Sequence, residues 1–185
     1  MTDSPRTRPA RVNATPPGPN VLRSARVVLR EMPLREVEDL LDGRGIPSQS
    51  WAKGYPLEGT LSGGYLRVCM VENNAYRWGF GMYQVVDRHT DQVIGDIGFH
   101  SEPGDAGAVE IGYGIVAGFR GRGFATEAVR TLTTWALGQP GVTAIKAEAV
   151  DHHVASQAVL TRAGFDLVDT TGGTHRYTLR GVPAT

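Results

Sequence analysis

Between Phe80 and Val116 three runs rich in β-branched and aromatic residues follow one another, at residues 80–86, 93–99 and 108–116. Only short polar stretches separate them, Asp87-Arg88-His89-Thr90-Asp91-Gln92 and then a Gly/Pro loop at 101–107. A parallel neighbour needs a crossover of a dozen residues or more, usually a helix, whereas antiparallel strands need only a turn. The three runs therefore predict an antiparallel meander, with the first link a hairpin loop.

The flanking segments set what covers that meander. Upstream, Val27-Val28-Leu29 reads as a short strand, and Pro33 opens a helix with Leu34, Val37, Leu40 and Leu41 at helical spacing, stopped by Gly43 and Gly45. Residues 46–59 show no periodicity. Thr60 then reads as the cap of a second helix carrying Tyr65, Val68, Cys69 and Met70, against which Gly63 and Gly64 weigh.

Downstream, Phe124, Ala125, Ala128, Val129, Leu132, Trp135 and Ala136 form an apolar stripe at 3, 4 and 7 spacing, ending at Gly138. Alternation over residues 142–150 predicts a strand, and a last helix runs from about His153 to Ala163 with Gly164 as a left-handed cap. Two further β-like runs, 165–170 and 175–179, close the chain. The fold class is α+β (mixed α/β), a central, mixed, largely antiparallel twisted sheet of about seven strands flanked by about four helices.

Residues 1–20 hold Pro5, Pro9, Pro16, Pro17 and Pro19 with little to bury and read as a flexible tail, leaving 21–185 as a single domain. A chain of 185 residues, 41% hydrophobic, is long enough for one sizeable core. Lys plus Arg and Asp plus Glu both number 19, so no overall field draws it to nucleic acid or an anionic membrane. A charged partner must instead meet a local patch. The single cysteine, Cys69, has no partner for a disulfide or metal site and reads as a small core residue. With no spanning apolar run and no secretory signal, a cytoplasmic location is expected.

The chemistry concentrates where the third meander strand ends. Val116 leads through Ala117-Gly118-Phe119 into Arg120-Gly121-Arg122-Gly123 and straight into a helix. Unpaired helix-start amides and the positive dipole end gather there, two glycines let the backbone approach an anion, and two arginines add charge-assisted bonds. A nucleotide P-loop requires Gly-Lys-Ser/Thr, which is absent. A dinucleotide loop requires a small third residue where Thr126 stands, after strand–helix alternation that the meander lacks.

Arg120-x-x-Gly123-x-Ala125 resembles the pyrophosphate signature of the GNAT superfamily of acyl-CoA-dependent N-acetyltransferases. Glu110-Ile-Gly-Tyr-Gly-Ile115, Ala125-Thr-Glu-Ala128, Ile145-x-Ala-x-Ala149, Ser156 and Ala163-Gly-Phe165 resemble its branch that acetylates ribosomal-protein N-termini, as does Val27-Val-Leu-Arg30. The likeness covers roughly residues 22–180, with one departure: His153 stands where the branch has asparagine.

The resemblance implies acetyl-CoA as acyl donor and a primary amine as acceptor, either a protein N-terminal α-amine or a small molecule, with direct attack on the thioester. It implies that the strand ending at Ile115 and Val116 parts from the 142–150 strand to receive pantetheine. Cofactor contacts then fall to Ile115, Val116, Arg120, Gly121, Arg122, Gly123, Phe124, Ala125, Thr126, His153 and Ser156. Ser156 would protonate the leaving thiolate.

Glu110 shares a strand face with Gly112, Gly114 and Val116 and is the candidate base, acting through water if burial raises its pKa. Glu148, Asp96, His100 and Asp151 are the other candidates. Adjacent His152 and His153 lack a third ligand for a metal. Trp51, Tyr55, Tyr76 and Trp78 supply aromatic surface for an acceptor pocket. The branch often forms homodimers. A non-catalytic acyl-CoA-binding module of the same fold is the rival reading.

Overall fold

The computed structural model describes residues 19–181 apart from Asp105. Strands are β1 Val21–Arg23, β2 Val27–Glu31, β3 Ser50–Trp51, β4 Met82–Asp87, β5 Gln92–Phe99, β6 Ala108–Ile115, β7 Ala144–Val150, β8 Asp166–Thr171 and β9 Thr174–Arg180. Helices are α1 Leu34–Leu41, α2 Glu58–Glu72, α3 Phe124–Leu137 and α4 Val154–Ala163, with a 3-10 turn at Ala117–Phe119. The sheet runs β1-β2-β4-β5-β6-β7-β9-β8, and the two-residue β3 pairs with β5 off this path. Every pairing is antiparallel except β3 with β5 and β6 with β7.

The expected meander is β4-β5-β6, and the seven strands read from sequence are all present. The two additions, β1 and β3, are too short to show a period of two. Most of the expected tail lies outside the described residues. Asn20, at its end, is buried, its side-chain amide donating to the Tyr83 hydroxyl at 2.8 Å.

Alternation along β5 and β6 sorts the two layers. Phe99 points to the α3 side, where its ring and that of Phe80 pack on Trp135 at centroid distances of 6.3 and 5.2 Å. Asp96, Gly98 and His100, and opposite them Gly114, Gly112 and Glu110, lie on the other face, toward α2. The α3 stripe behaves as its spacing predicts: Phe124, Ala128, Val129, Leu132 and Ala136 are buried.

Helix α2 does not follow its sequence reading. It starts at Glu58 with Leu57 as N-cap, and Thr60, the expected cap, lies one turn in, where its hydroxyl accepts from the Leu57 amide at 2.9 Å. The buried face carries Thr60, Gly64, Arg67 and Met70, while Tyr65 is 62% exposed. Cys69, expected in the core, is exposed. The inward face of α2 meets the polar side chains Asp96 and Glu31 rather than an apolar sheet, so its period is partly polar and hydrophobicity alone misplaces it.

The C-terminal cap is as expected: Gly164 adopts φ 97°, the Phe165 amide reaches back to the Leu160 carbonyl at 3.1 Å, and Phe165 is buried. A Gly172-Gly173 turn, both with positive φ, joins β8 to β9.

Candidate functional site

Strands β6 and β7 run parallel, yet they pair only over Ala108, Val109 and Glu110 against Ala144, Ile145 and Lys146. Beyond that the strands part. Because they are parallel, the segments following them emerge at the same end of the gap. The loop 120–123 leads into α3 there, and residues 151–153 lead into α4. Helix starts and strand carboxyl ends thus converge on one mouth, the usual place for a ligand in a sheet with parallel neighbours.

The hydrogen-bond phase of β6 tells which groups line the gap. Glu110 accepts from the His100 amide and the Val116 amide donates to Ile94, so the even residues address β5. Backbone groups of Ile111, Tyr113 and Ile115 therefore face the gap. Of these, the Ile115 carbonyl already accepts from Arg120 Nε at 2.7 Å, which fixes the arginine across the mouth.

The loop is held by its surroundings. Gly121 and Gly123 take φ of 70° and 82°, conformations that side chains rarely adopt, and Gly123 caps α3. The first intrahelical bond runs from Glu127 to the Gly123 carbonyl, so the amides of the preceding residues have no partner within the helix. Glu127 Oε1 accepts from the Ser24 hydroxyl and the Arg26 amide, each at 2.7 Å, and Oε2 accepts from Arg26 Nε at 2.7 Å. Partial burial opposes the charge on Glu127, but these bonds outweigh it and hold its carboxyl below the ordinary range. Arg26 continues to the Arg122 carbonyl at 2.8 Å and lies over the Phe124 ring.

An open groove of about 1250 Å³ starts at Gly121 and Gly123 and runs along α3, collecting Arg23, Arg26, Arg130 and Arg162. Glu127, paired with Arg26, lines it too, so the four arginines leave the groove with a net positive charge. Thr126 lines it as well.

Across the mouth, His153 is the N-cap of α4 and its carbonyl accepts from Ser156 and Gln157. Its ring is exposed and stacks edge-on with His152 at 4.5 Å, and no metal-binding cluster exists among the described residues. Ser156 Oγ lies 2.8 Å from the hydroxyl of Tyr113, which is also 3.1 Å from the Ser156 carbonyl. Burial pushes the Tyr113 hydroxyl up to about 12, against the bond to Ser156, so it stays protonated. Alternation along β6 puts Tyr113 on the face opposite to Glu110, a functional placement that the motif alone does not assign.

On the other face, Glu110 is not buried: its side chain is 40% exposed, and Oε1 lies 2.9 Å from His100 Nδ1. The imidazole spreads over Gly112, where a Cβ would come within 2.7 Å of Nε2, and Leu57 covers Gly114 in the same way. Of the four candidate carboxyls, Asp96 is the buried one. It accepts from Thr60, and desolvation raises it to about 6 against that bond. The Tyr55 hydroxyl, within the field of Asp96, is also buried, with Gln84 as its polar neighbour. Glu148 is tied to Arg176 and Asp151 to His175.

The aromatics of the expected pocket divide. Trp51 and Tyr55 meet edge-on at 5.3 Å, whereas Tyr76 stacks under Arg67 and donates to buried Glu31 at 2.8 Å.

A family model for the acetyltransferase (GNAT) domain matches residues 26–166, well over half the chain. The uncharacterized N-acetyltransferase YjdG of Bacillus subtilis (strain 168) is 32% identical over 103 residues, which is 56% of this chain and 61% of YjdG. This chain thus aligns with about three-fifths of that relative. The uncharacterized N-acetyltransferase p20 of Bacillus licheniformis is 24% identical over 144 residues, 78% of this chain and 81% of its own. Among solved structures, RimL, a ribosomal L7/L12 alpha-N-protein acetyltransferase in complex with coenzyme A, superposes with a TM-score of 0.61 at 19% identity, covering 87% of this chain and 98% of RimL. The acetyltransferase of Agrobacterium tumefaciens str. C58 gives 0.60 at 22% identity over 94% of this chain and 99% of its own. Parted parallel strands, a braced glycine–arginine loop and a family match across both lead to one statement: this chain belongs to the GNAT family of acetyltransferases.

Proposed function

We propose that this chain transfers the acetyl group of acetyl-CoA directly to a primary amine, a protein N-terminal α-amine or a small-molecule amine. The observation that carries the reading is the parting of β6 from β7 beyond Glu110 and Lys146, with the starts of α3 and α4 at the same mouth. A pantetheine arm entering there finds the carbonyl of Ile111, both backbone groups of Tyr113 and the amide of Ile115, and bonds them as an added strand would. The pyrophosphate meets the loop 120–126, and the arginine-lined groove gives the nucleotide end a positive surface. RimL was solved with coenzyme A and the microcin C7 self immunity acetyltransferase MccE with acetyl-CoA and AMP, which supports the same donor here.

The chain's own residues then divide the proton traffic. The amine attacks the thioester carbon, forming the N–C bond as the C–S bond breaks. Ser156 delivers a proton to the departing sulfur while hydrogen-bonded to Tyr113, which stays neutral. The proton shed by the amine goes to the opposite face of β6, where Glu110 supplies negative charge.

Thermal shift with acetyl-CoA and release of free coenzyme A thiol with an amine panel test this in two stages. The expected result is stabilisation rising with ligand concentration, then thiol release with at least one amine. Failure to stabilise well above micromolar acetyl-CoA defeats the donor assignment. Stabilisation without thiol release from N-terminal peptides or small amines favours the binding-module reading.

A further inference from the structure

Resting on that acetyl-transfer reading, we infer that the atom receiving the amine's proton is His100 Nε2, with Glu110 as its positioning residue. Three observations meet at this point. Nδ1 of His100 lies 2.9 Å from Glu110 Oε1, and a carboxylate can only accept, so the ring carries its hydrogen on Nδ1. Nε2 is thereby left with a lone pair, the base-competent tautomer. That same Nε2 approaches Gly112, within 2.7 Å of where a Cβ would stand, so glycine is what lets this edge of the ring reach the strand that borders the gap.

The placement is on the acceptor side. Glu110, Gly112 and Gly114 form one face of β6, toward α2, while Tyr113, Ser156 and the α3 loop lie on the other. A donor bound from the α3 side exposes its carbonyl carbon to an amine arriving from the α2 side. Access separates His100 from the carboxyl of Asp96. The His100 and Glu110 side chains are 45% and 40% exposed, whereas Asp96 is 8% exposed and capped by the Thr60 hydroxyl. An incoming ammonium reaches the imidazole and does not reach Asp96.

The step balances without any further reactant. His100 Nε2 takes one proton from R–NH3⁺ and becomes imidazolium, stabilised by Glu110. The freed amine lone pair forms the N–C bond, the C–S electron pair leaves with sulfur, and the second nitrogen proton replaces the one Ser156 delivers to sulfur. Imidazolium then returns its proton to solvent, so each turnover releases one amide, one thiol and one proton.

Two measurements on the full chain test this, the first independent of any acceptor. In the ¹⁵N-histidine spectrum at pH 8, His100 is expected to carry its proton on Nδ1 with Nε2 bare, and Glu110→Gln should shift that pattern toward the other tautomer. A wild-type ring protonated at Nε2 overturns the assignment. The second uses N-terminal peptides and small primary amines with acetyl-CoA. His100→Ala should lower kcat on the order of 10²- to 10⁴-fold at unchanged acetyl-CoA KM, with partial recovery by added imidazole. Glu110→Gln should lower kcat by less. Wild-type kcat in His100→Ala overturns the inference alone, because wild-type transfer in the same assay leaves the acetyltransferase reading standing.

Discussion

Replacing Asp96 by Asn should make this protein more stable at neutral pH and flatten its stability between pH 4 and 6. Asp96 is 8% exposed, and desolvation, only partly offset by Thr60, raises its carboxyl from 3.8 to about 6. In that interval the folded chain holds a proton that the unfolded chain has released. The contribution of this group is therefore fully present below pH 3.8 and lost as pH rises through about 6. At about 1.4 kcal/mol per decade, the interval corresponds to roughly 3 kcal/mol by pH 8. For a chain of this size that is about 6–12 °C in Tm. Asn keeps an oxygen for the Thr60 hydroxyl and carries no charge to desolvate. Urea unfolding of both proteins across pH 4 to 8 isolates the effect, because other carboxyls such as Glu31 and Glu127 titrate in both. The difference between them should open as pH rises. Parallel curves would refute a buried, proton-holding Asp96.

Further outcomes concern the cofactor mouth. Arg120→Ala removes a guanidinium already anchored on the Ile115 carbonyl, and the loss of one charge-assisted phosphate contact, about 1.5–3 kcal/mol, should weaken acetyl-CoA roughly 10- to 150-fold by calorimetry. An unchanged Kd would place the pyrophosphate elsewhere. Ser156→Ala should lower kcat more than acetyl-CoA affinity, and Tyr113→Phe should follow it with a smaller loss, since the serine hydroxyl then lacks its hydrogen-bond partner. Equal losses in kcat and affinity for Ser156→Ala would contradict its role.

Most of the architecture was legible because periodicity and punctuation agreed with each other. The α3 stripe from Phe124 to Ala136, the Gly164 cap and the meander 80–116 each combine a pattern with a turn signal. Helix α2 departs from its hydrophobic period because its inward residues answer buried polar groups. Thr60 faces Asp96 and Arg67 faces Tyr76, which no hydrophobic period reveals. Cys69 went to the surface for the same reason.

The glycine–arginine loop was visible as local chemistry, but its bracing was not. Glu127 and Arg26 are far apart in sequence and meet only once β1 and β2 pack beside α3. The pairing of His100 with Glu110 lay closer to hand. The two flank one hairpin link, so antiparallel register places them side by side once the strands are known. Tyr113 was within reach on alternation alone, yet its partner Ser156 comes from a helix whose docking the sequence does not state.

The most direct test is a crystal structure of the full chain with acetyl-CoA. Pantetheine should lie between β6 and β7, bonded to the backbone of Ile111, Tyr113 and Ile115, with the pyrophosphate on the amides of 121–126 and the acetyl carbon open toward His100. A cofactor bound outside the gap, or a gap closed by continued β6–β7 pairing beyond Glu110, would contradict the account.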